Sequence, residues 1–301
     1  MYALFFKKIC VIPILLTSFT IIFGNTSLFS LENSFAHDFS SDESAQFLTI
    51  VDKIKVESEL AANSSDNNNL SLAQLHANNA LLNYDSHTKD EISERNERIA
   101  NELDDTLNQL LKEVKSQTDQ SQLTDTVETI TAILEEAIST RIDEEQLNNS
   151  TIQVLVLANI VDTALQNYGD AYNVGIDLTN MSNMIKDTTT NDTTTNGHIK
   201  HGSTNVSMHS NIVNSTNYES ALGFSNNALD KYYNEISTSS PQLSEENNNN
   251  ITSQNYLKKL EDELIEFNNA IKNKDNPMKV MKIVHTQIHP NLQILFNLKI
   301  G

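Results

Sequence analysis

Two histidines near the C-terminus, His285 and His289, have a spacing suited to metal binding. Residues four apart share one face of an α-helix, so two imidazoles placed this way can chelate a divalent transition metal such as Zn²⁺, Cu²⁺ or Ni²⁺. A stable site needs further ligands from elsewhere in the chain. Pro290 disfavours the helical conformation at His289, which would separate the rings. The alternative is a structural role, with His285 near the negative end of a helix dipole.

Three more histidines, His198, His201 and His209, lie in a segment rich in Thr and Asn. A mobile segment can fold around a copper or zinc ion without preformed geometry, so these residues form a second candidate metal site. Ordinary linker composition is the alternative. His76 falls on or beside the apolar face of its helix, which predicts a hydrogen-bonded core histidine, with a ligand role as the alternative. The cofactor predicted from these residues is a divalent transition metal.

The residues of common catalytic sites are not found together in this sequence. The single cysteine, Cys10, lies in the N-terminal apolar segment, which leaves no thiol for catalysis in a processed chain. There is no Gly-x-Ser-x-Gly elbow, no His-Glu-x-x-His zinc helix and no Glu-x-x-His pattern of di-metal carboxylate bundles. The sequence therefore predicts a protein that is not an enzyme.

The amino-acid composition limits the fold classes and the binding partners that are expected for this chain. The 301 residues include 40 acidic and 20 basic side chains, a formal charge of −20, and such a chain repels nucleic acids. Seven glycines, four prolines and no tryptophan argue against an all-β fold, which needs frequent turns. Asparagine is abundant, with 39 residues, and is expected to take the loop role of glycine and proline. An all-α protein without nucleic-acid partners is predicted.

Apolar residues recur at three- and four-residue spacing over most of the chain, which predicts about eight helices. They form either one irregular helical bundle or two related helical-hairpin modules. The predicted domains are a helical bundle over 41–186, a disordered Thr/Asn/His linker over 187–217, and a helical hairpin plus C-terminal helix over 218–301. Residues 154–165 are apolar on most faces, so their helix is expected at the centre of the bundle.

The N-terminus resembles an export signal. Lys7 and Lys8 precede the apolar run from Ile9 to Phe23, and small residues at Ser34 and Ala36 suit a cleavage site. Residues 1–36 are therefore predicted to be a signal peptide or an N-terminal anchor. The protein would be exported, and either secreted or held by that uncleaved segment, its only contact with a membrane.

Asn-x-Ser/Thr sequons are frequent beyond this segment. In an exported protein they are glycosylation candidates, whereas chance is the alternative in a chain so rich in asparagine. Most of them fall in predicted loops. The nine candidates are Asn63, Asn69, Asn148, Asn149, Asn180, Asn191, Asn205, Asn214 and Asn250.

An internal repeat suggests that two helical hairpins are related. Residues 78–84 match residues 226–232 at five of seven positions, and each segment precedes a longer amphipathic helix. This pattern, in 76–84 with 92–111 and in 221–233 with 257–271, resembles the extracytoplasmic helical segments that accompany oxidase-coupled iron permeases. The membrane helices of the permease and their Arg-Glu motif are absent from the sequence. The resemblance implies a soluble partner or relative that handles metal outside the membrane, which adds iron to the candidate cofactors.

These observations predict an exported helical binding module, with metal-ion binding linked to uptake as its specific form. Its partner would be a membrane permease or another cell-surface protein. The alternative is a cell-surface structural or protein-interaction glycoprotein, in which helix faces bind other proteins and the polar loops carry glycans.

Overall fold

A computed structural model describes residues 41–180, 211–238 and 250–298, and these residues form helices and connecting turns without a β-strand. The prediction of an all-α helical bundle is confirmed. The helices are α1 Ser41–Asp66, α2 Leu70–Asn83, α3 Ser86–Ser116, α4 Gln120–Arg141, α5 Glu144–Leu147, α6 Ser150–Ala171, α7 Ser215–Lys231, α8 Asn250–Lys272, α9 Pro277–Ile283 and α10 His289–Phe296. Two π-helical turns, Tyr232–Ile236 and Val284–Ile288, follow α7 and α9.

Asparagine side chains cap the N-termini of four of these helices. The side-chain oxygens of Asn69, Asn149, Asn214 and Asn276 accept backbone N–H groups in the first turns of α2, α6, α7 and α9. An N-cap of this kind satisfies a backbone donor that has no partner within the helix. Asparagine also adopts left-handed backbone conformations more readily than most residues, as it does at Asn68, Asn173 and Asn297. Asparagine therefore separates the helices, as its abundance predicted.

Helix α6 lies at the centre of the described bundle. It packs against α1 and α7 and also contacts α9 and α10. Its apolar residues between 154 and 165 are almost all buried, which confirms the predicted buried helix. The exclusion of this apolar surface from water is the main force that holds the surrounding helices together.

The chain segments before and after residues 181–210 pack against each other. Helix α7 lies against α6 and α1, and all described residues belong to one compact unit. Of the predicted linker 187–217, residues 187–210 lie outside the described residues. The remainder reaches into the fold, because α7 begins at Ser215 and the backbone N–H groups of Val213 and Asn214 bond to the carbonyl of Ala171.

Two helices have features that their local sequence does not indicate. Helix α1 continues to Asp66, through a stretch of Asn, Ser and Asp residues that begins at Asn63. Helix α3 is interrupted at Asn96, whose φ of −157° and ψ of 97° are not helical. Short polar side chains favour breaks only weakly, so packing decides where a helix ends. The predicted signal, residues 1–36, lies outside the described residues, and none of the described helices is long and apolar enough to cross a membrane.

The repeated segments have matching roles in α2 and α7. Ala80 and Ala228 are fully buried at corresponding positions. The hydroxyl of Tyr84 donates to the carbonyl of Ala100 in α3, and that of Tyr232 donates to the carbonyl of Leu257 in α8, each at 2.8 Å. Each tyrosine thus connects a short helix to the longer helix that follows it.

Candidate functional site

The predicted histidine pair lies where α9 passes through a π-helical turn into α10. The backbone N–H of His289 bonds to the carbonyl of Val284, five residues earlier, so this turn is wider than an α-helical turn. π-turns of this kind occur frequently at functional sites. The imidazole rings of His285 and His289 are 5.3 Å apart between centroids and meet edge to face at 79°.

The expectation that Pro290 would separate the two rings is wrong. His289 has φ −59° and ψ −47°, which is helical, and Pro290 lies in the first turn of α10. Continuing the helix buries Leu292 and Leu295 completely. The burial of two leucines is worth several kcal/mol, roughly 1.5–3 each, and this outweighs the local preference of a residue before proline.

His285 is bonded to the protein through one nitrogen. Its Nε2 lies 2.8 Å from the backbone carbonyl oxygen of Leu178. A carbonyl only accepts hydrogen bonds, so Nε2 carries the proton and donates, and in the neutral ring Nδ1 holds the lone pair. The side chain is buried, so this bond anchors the loop after α6 to the π-turn.

His289 faces a carboxylate from the central helix. Its Nε2 lies 3.2 Å from Oδ1 of Asp162 on α6, and both atoms are buried without a hydrogen bond of acceptable geometry. Zinc bonds of about 2.0–2.1 Å at a tetrahedral angle separate two ligand atoms by about 3.3 Å. The pair therefore has the spacing of two ligands on one metal ion as well as that of an ion pair.

A complete set of protein ligands is not present in the part of the chain that the structure describes. No group of three or more His, Cys, Asp or Glu side chains there is arranged to hold a metal ion. Asp162 and His289 would thus contribute two ligands, with water completing the coordination. The other predicted metal ligands, His198, His201 and His209, lie outside the described residues.

Six of the nine sequon asparagines are exposed in the structure. Asn63 lies within α1 instead of the predicted loop, and the other five lie at helix ends or turns: Asn69, Asn148, Asn149, Asn180 and Asn214. Asn250 is the first residue of α8. Asn191 and Asn205 lie outside the described residues.

A second buried histidine cluster joins α1, α2 and α7. Glu57 on α1 is only 3% exposed, and its Oε2 lies 2.7 Å from Nδ1 of His76 on α2. Ser220 on α7 donates its hydroxyl to the other oxygen, Oε1, at 2.6 Å. Asn79 donates a third hydrogen bond to Oε2 at 3.3 Å. His76 is fully buried, as predicted for a core histidine, and its Nδ1 has a hydrogen-bond partner.

The other ring nitrogen of His76 points toward a second carboxylate. Nε2 is buried, has no hydrogen-bond partner, and lies 3.6 Å from Oε2 of Glu219 on α7. Ser64 at the end of α1 donates its hydroxyl to the same oxygen at 3.4 Å. The side chain of Glu219 is 39% exposed, so this carboxylate lies between the buried histidine and solvent.

The sequence contained one signal for this cluster. Glu57 follows Ile54 by three residues and precedes Ala61 by four, so it stands on the buried stripe of α1. A charge on such a stripe requires partners, because an unpaired buried carboxylate is strongly unfavourable. Those partners are 19 and 163 residues away in the chain, so spacing alone did not identify them.

Two further buried charges have structural roles. Lys231 at the end of α7 lies 3.0 Å from carboxylate oxygens of both Asp52 and Glu235. Burial disfavours its charged form, but these two carboxylates outweigh burial and raise the pKa of Lys231. Glu113 accepts hydrogen bonds from Gln109, Gln122 and Thr126, which joins α3 to α4. Both groups connect neighbouring helices.

Comparison of the chain with protein-family models, with curated proteins and with solved structures finds no match. The resemblance to helical segments that accompany iron permeases therefore stays a prediction from the residues. Function is therefore inferred from the two histidine clusters themselves.

Proposed function

We propose that this chain is an exported helical module that binds a divalent transition metal ion at Asp162 and His289. The observation that carries the proposal is the spacing of 3.2 Å between Asp162 Oδ1 and His289 Nε2, two buried atoms without a well-formed hydrogen bond. One imidazole and one carboxylate suit zinc, copper or iron. Export follows from the predicted signal, and a role in metal uptake follows from the resemblance to permease-associated segments.

The surroundings support metal binding at this position. The side chain of Asp162 is 29% exposed although its Oδ1 is buried, so this carboxylate joins the buried imidazole of His289 to the surface. The ring of His285 packs against that of His289, and its Nε2 bond to Leu178 restrains it. The restrained ring of His285 therefore limits how far the neighbouring ring of His289 can turn.

Metal titration of the full chain tests the proposal. Zn²⁺, Cu²⁺ or Fe²⁺ is added, unbound metal is removed by gel filtration, and bound metal is measured by elemental analysis. His289→Gln and Asp162→Asn should each remove one equivalent, because each deletes one of two protein ligands. This loss of one equivalent is expected for each of the three ions that the unaltered chain binds.

A matched control exists on the surface. His87 is 79% exposed and its Nε2 lies 3.3 Å from Glu91, so this pair has the same residue types at nearly the same distance. His87→Gln should leave the bound metal unchanged. Binding that is lost in His87→Gln but kept in His289→Gln would refute the proposal, as would less than one equivalent bound to the unaltered chain.

A protein-interaction glycoprotein is the second candidate, supported by the outer face of α2. Leu75 and Leu82 are 48% and 67% exposed and lie seven residues apart, on the same side of that helix. The exposed sequon at Asn69 begins the same helix. Mass spectrometry of protein isolated from its own cells tests this candidate, which requires glycans on exposed sequons such as Asn69. Unmodified sequons would rule out the glycoprotein candidate.

A further inference from the structure

The carboxylate of Glu57 holds the ring of His76 in one tautomer. Ser220 and Asn79 donate to Glu57, so the carboxylate is fixed between α1, α2 and α7. Nδ1 of His76 lies 2.7 Å from this carboxylate and therefore carries the proton. In the neutral imidazole, the lone pair then resides on Nε2, the atom that faces Glu219.

The spacing between Nε2 of His76 and Glu219 is close to that of two ligands on one metal ion. Their separation of 3.6 Å exceeds hydrogen-bond length. Two ligands of a tetrahedral metal ion are about 3.3 Å apart, a difference that a small rotation of the half-exposed Glu219 can supply. His76 itself is fully buried, and Nε2 has no hydrogen-bond partner.

We propose that His76 Nε2 and the carboxylate of Glu219 bind a divalent transition metal ion between α2 and α7. Glu57 is the positioning residue, because metal-bound histidines almost always donate their other N–H to a carboxylate or carbonyl group. Ser64, which donates to Glu219 at 3.4 Å, places a hydroxyl beside the carboxylate. Water completes the coordination from the exposed side.

The ligand set selects the class of ion. Mg²⁺ and Ca²⁺ are bound by oxygen ligands, whereas an imidazole with one carboxylate favours Zn²⁺, Cu²⁺ or Fe²⁺. The alternative occupant of the gap is a proton on Nε2, which would make His76 an imidazolium shared by two carboxylates. The protonation state of Nε2 therefore distinguishes the two arrangements.

This site is separate from the one at Asp162 and His289. It is built from α1, α2 and α7, whereas the other is built from α6, the π-turn and α10. No ligand belongs to both, so one site can fail while the other binds. Variants in each site distinguish the two outcomes within the same chain.

Nuclear magnetic resonance of the full chain, labelled with ¹⁵N in histidine, tests this inference directly. The metal alone, Zn²⁺, is added in steps, and the nitrogens of each ring are followed. We expect the Nε2 signal of His76 to shift while Nδ1 keeps its proton. Glu219→Gln should weaken zinc binding at His76 at least tenfold, since one of two ligands is lost, and Ser220→Ala should weaken it by about tenfold through Glu57.

The controls separate this site from others. His87→Gln should leave the response of His76 unchanged, and Asp162→Asn should remove only the response of His289. Variants at the buried His76 can fail to fold. Glu219 is partly exposed, so Glu219→Gln tests the inference without disturbing the core. A protonated Nε2 of His76 that does not respond to Zn²⁺ would overturn the inference, as would equal zinc affinity in Glu219→Gln and the unaltered chain.

Discussion

The two buried histidine clusters contain the same residue types, but their carboxylates accept different numbers of hydrogen bonds from the protein. Glu57 is 3% exposed and accepts hydrogen bonds from three side chains on two other helices. Asp162 is 29% exposed, and its Oδ1 has no well-formed hydrogen bond. A carboxylate whose acceptor sites are occupied positions its neighbours, whereas one with an unused oxygen can bind a ligand. This difference is why we propose a positioning role for Glu57 and a ligand role for Asp162.

The clusters also differ in how they join the fold. Glu57, His76 and Ser220 come from three helices and hold them together, so that cluster contributes to stability. The histidines at 285 and 289 lie on successive turns of one continuous helical segment and need only Asp162 and Leu178 from elsewhere. Substitutions in the first cluster should therefore lower the free energy of unfolding more than substitutions in the second.

The largest expected effect is that of Glu57→Ala. This change leaves His76, Ser220 and Asn79 without their shared acceptor in a buried place, and breaking such a charged network costs about 3–5 kcal/mol. Asp162→Ala should lower the free energy of unfolding by about 1 kcal/mol or less, because its partly exposed carboxylate holds a single ion pair. Urea denaturation of both variants measures the two losses.

The exposed Glu128 on α4 provides the control for this measurement. Glu128→Ala should change the free energy of unfolding by no more than about 0.5 kcal/mol, as is usual for surface substitutions. Equal losses of unfolding free energy in Glu57→Ala and Asp162→Ala would contradict the distinction between a carboxylate that positions its neighbours and one that is free to bind a ligand.

The second largest expected effect is that of His285→Ala. This variant tests whether His285 of the C-terminal histidine pair has a structural role. The change removes the donor to the carbonyl of Leu178 and leaves a buried acceptor unpaired, at a cost of about 2 kcal/mol. Urea denaturation without metal measures it. His87→Ala on the surface is the matched control and should have little effect. A loss below about 0.5 kcal/mol would mean that His285, like His289, is held only weakly without metal.

Much of the fold was predictable from the sequence, because helices depend on local periodicity. The buried stripe of α6 and the asparagine caps follow from residues close together in the chain. Spacing also indicated His285 and His289, but the preference of a residue before proline predicted the wrong backbone at His289, where the burial of Leu292 and Leu295 decides. Asp162 and Glu219 could not be assigned, since their partners come from other helices and depend on how those helices pack.

Ser220→Ala should have a smaller effect than His285→Ala. It removes one of three donors to Glu57 without deleting the carboxylate, so the free energy of unfolding should fall by about 1 kcal/mol. The exposed Ser121 on α4 provides a control of the same residue type, and Ser121→Ala should be close to neutral. A loss as large as that of Glu57→Ala would show that Ser220 alone, and not the network of three donors, keeps the carboxylate charged.

The smallest expected effect is that of Lys53→Met beside Glu57. Burial lowers the pKa of Lys53, although the charge of Glu57 opposes this shift. Between the lowered pKa and its ordinary value, the unfolded chain binds more protons than the folded one, so the stability of the unaltered protein rises with pH in that window. Lys53→Met removes this rise and should increase the free energy of unfolding at pH 7, by less than about 1 kcal/mol because solvent screens a partly exposed lysine. Urea denaturation at pH 7 and above pH 10 measures both changes. A loss of stability at pH 7 would mean that Glu57 depends on the charge of Lys53 instead of on its hydrogen-bond donors.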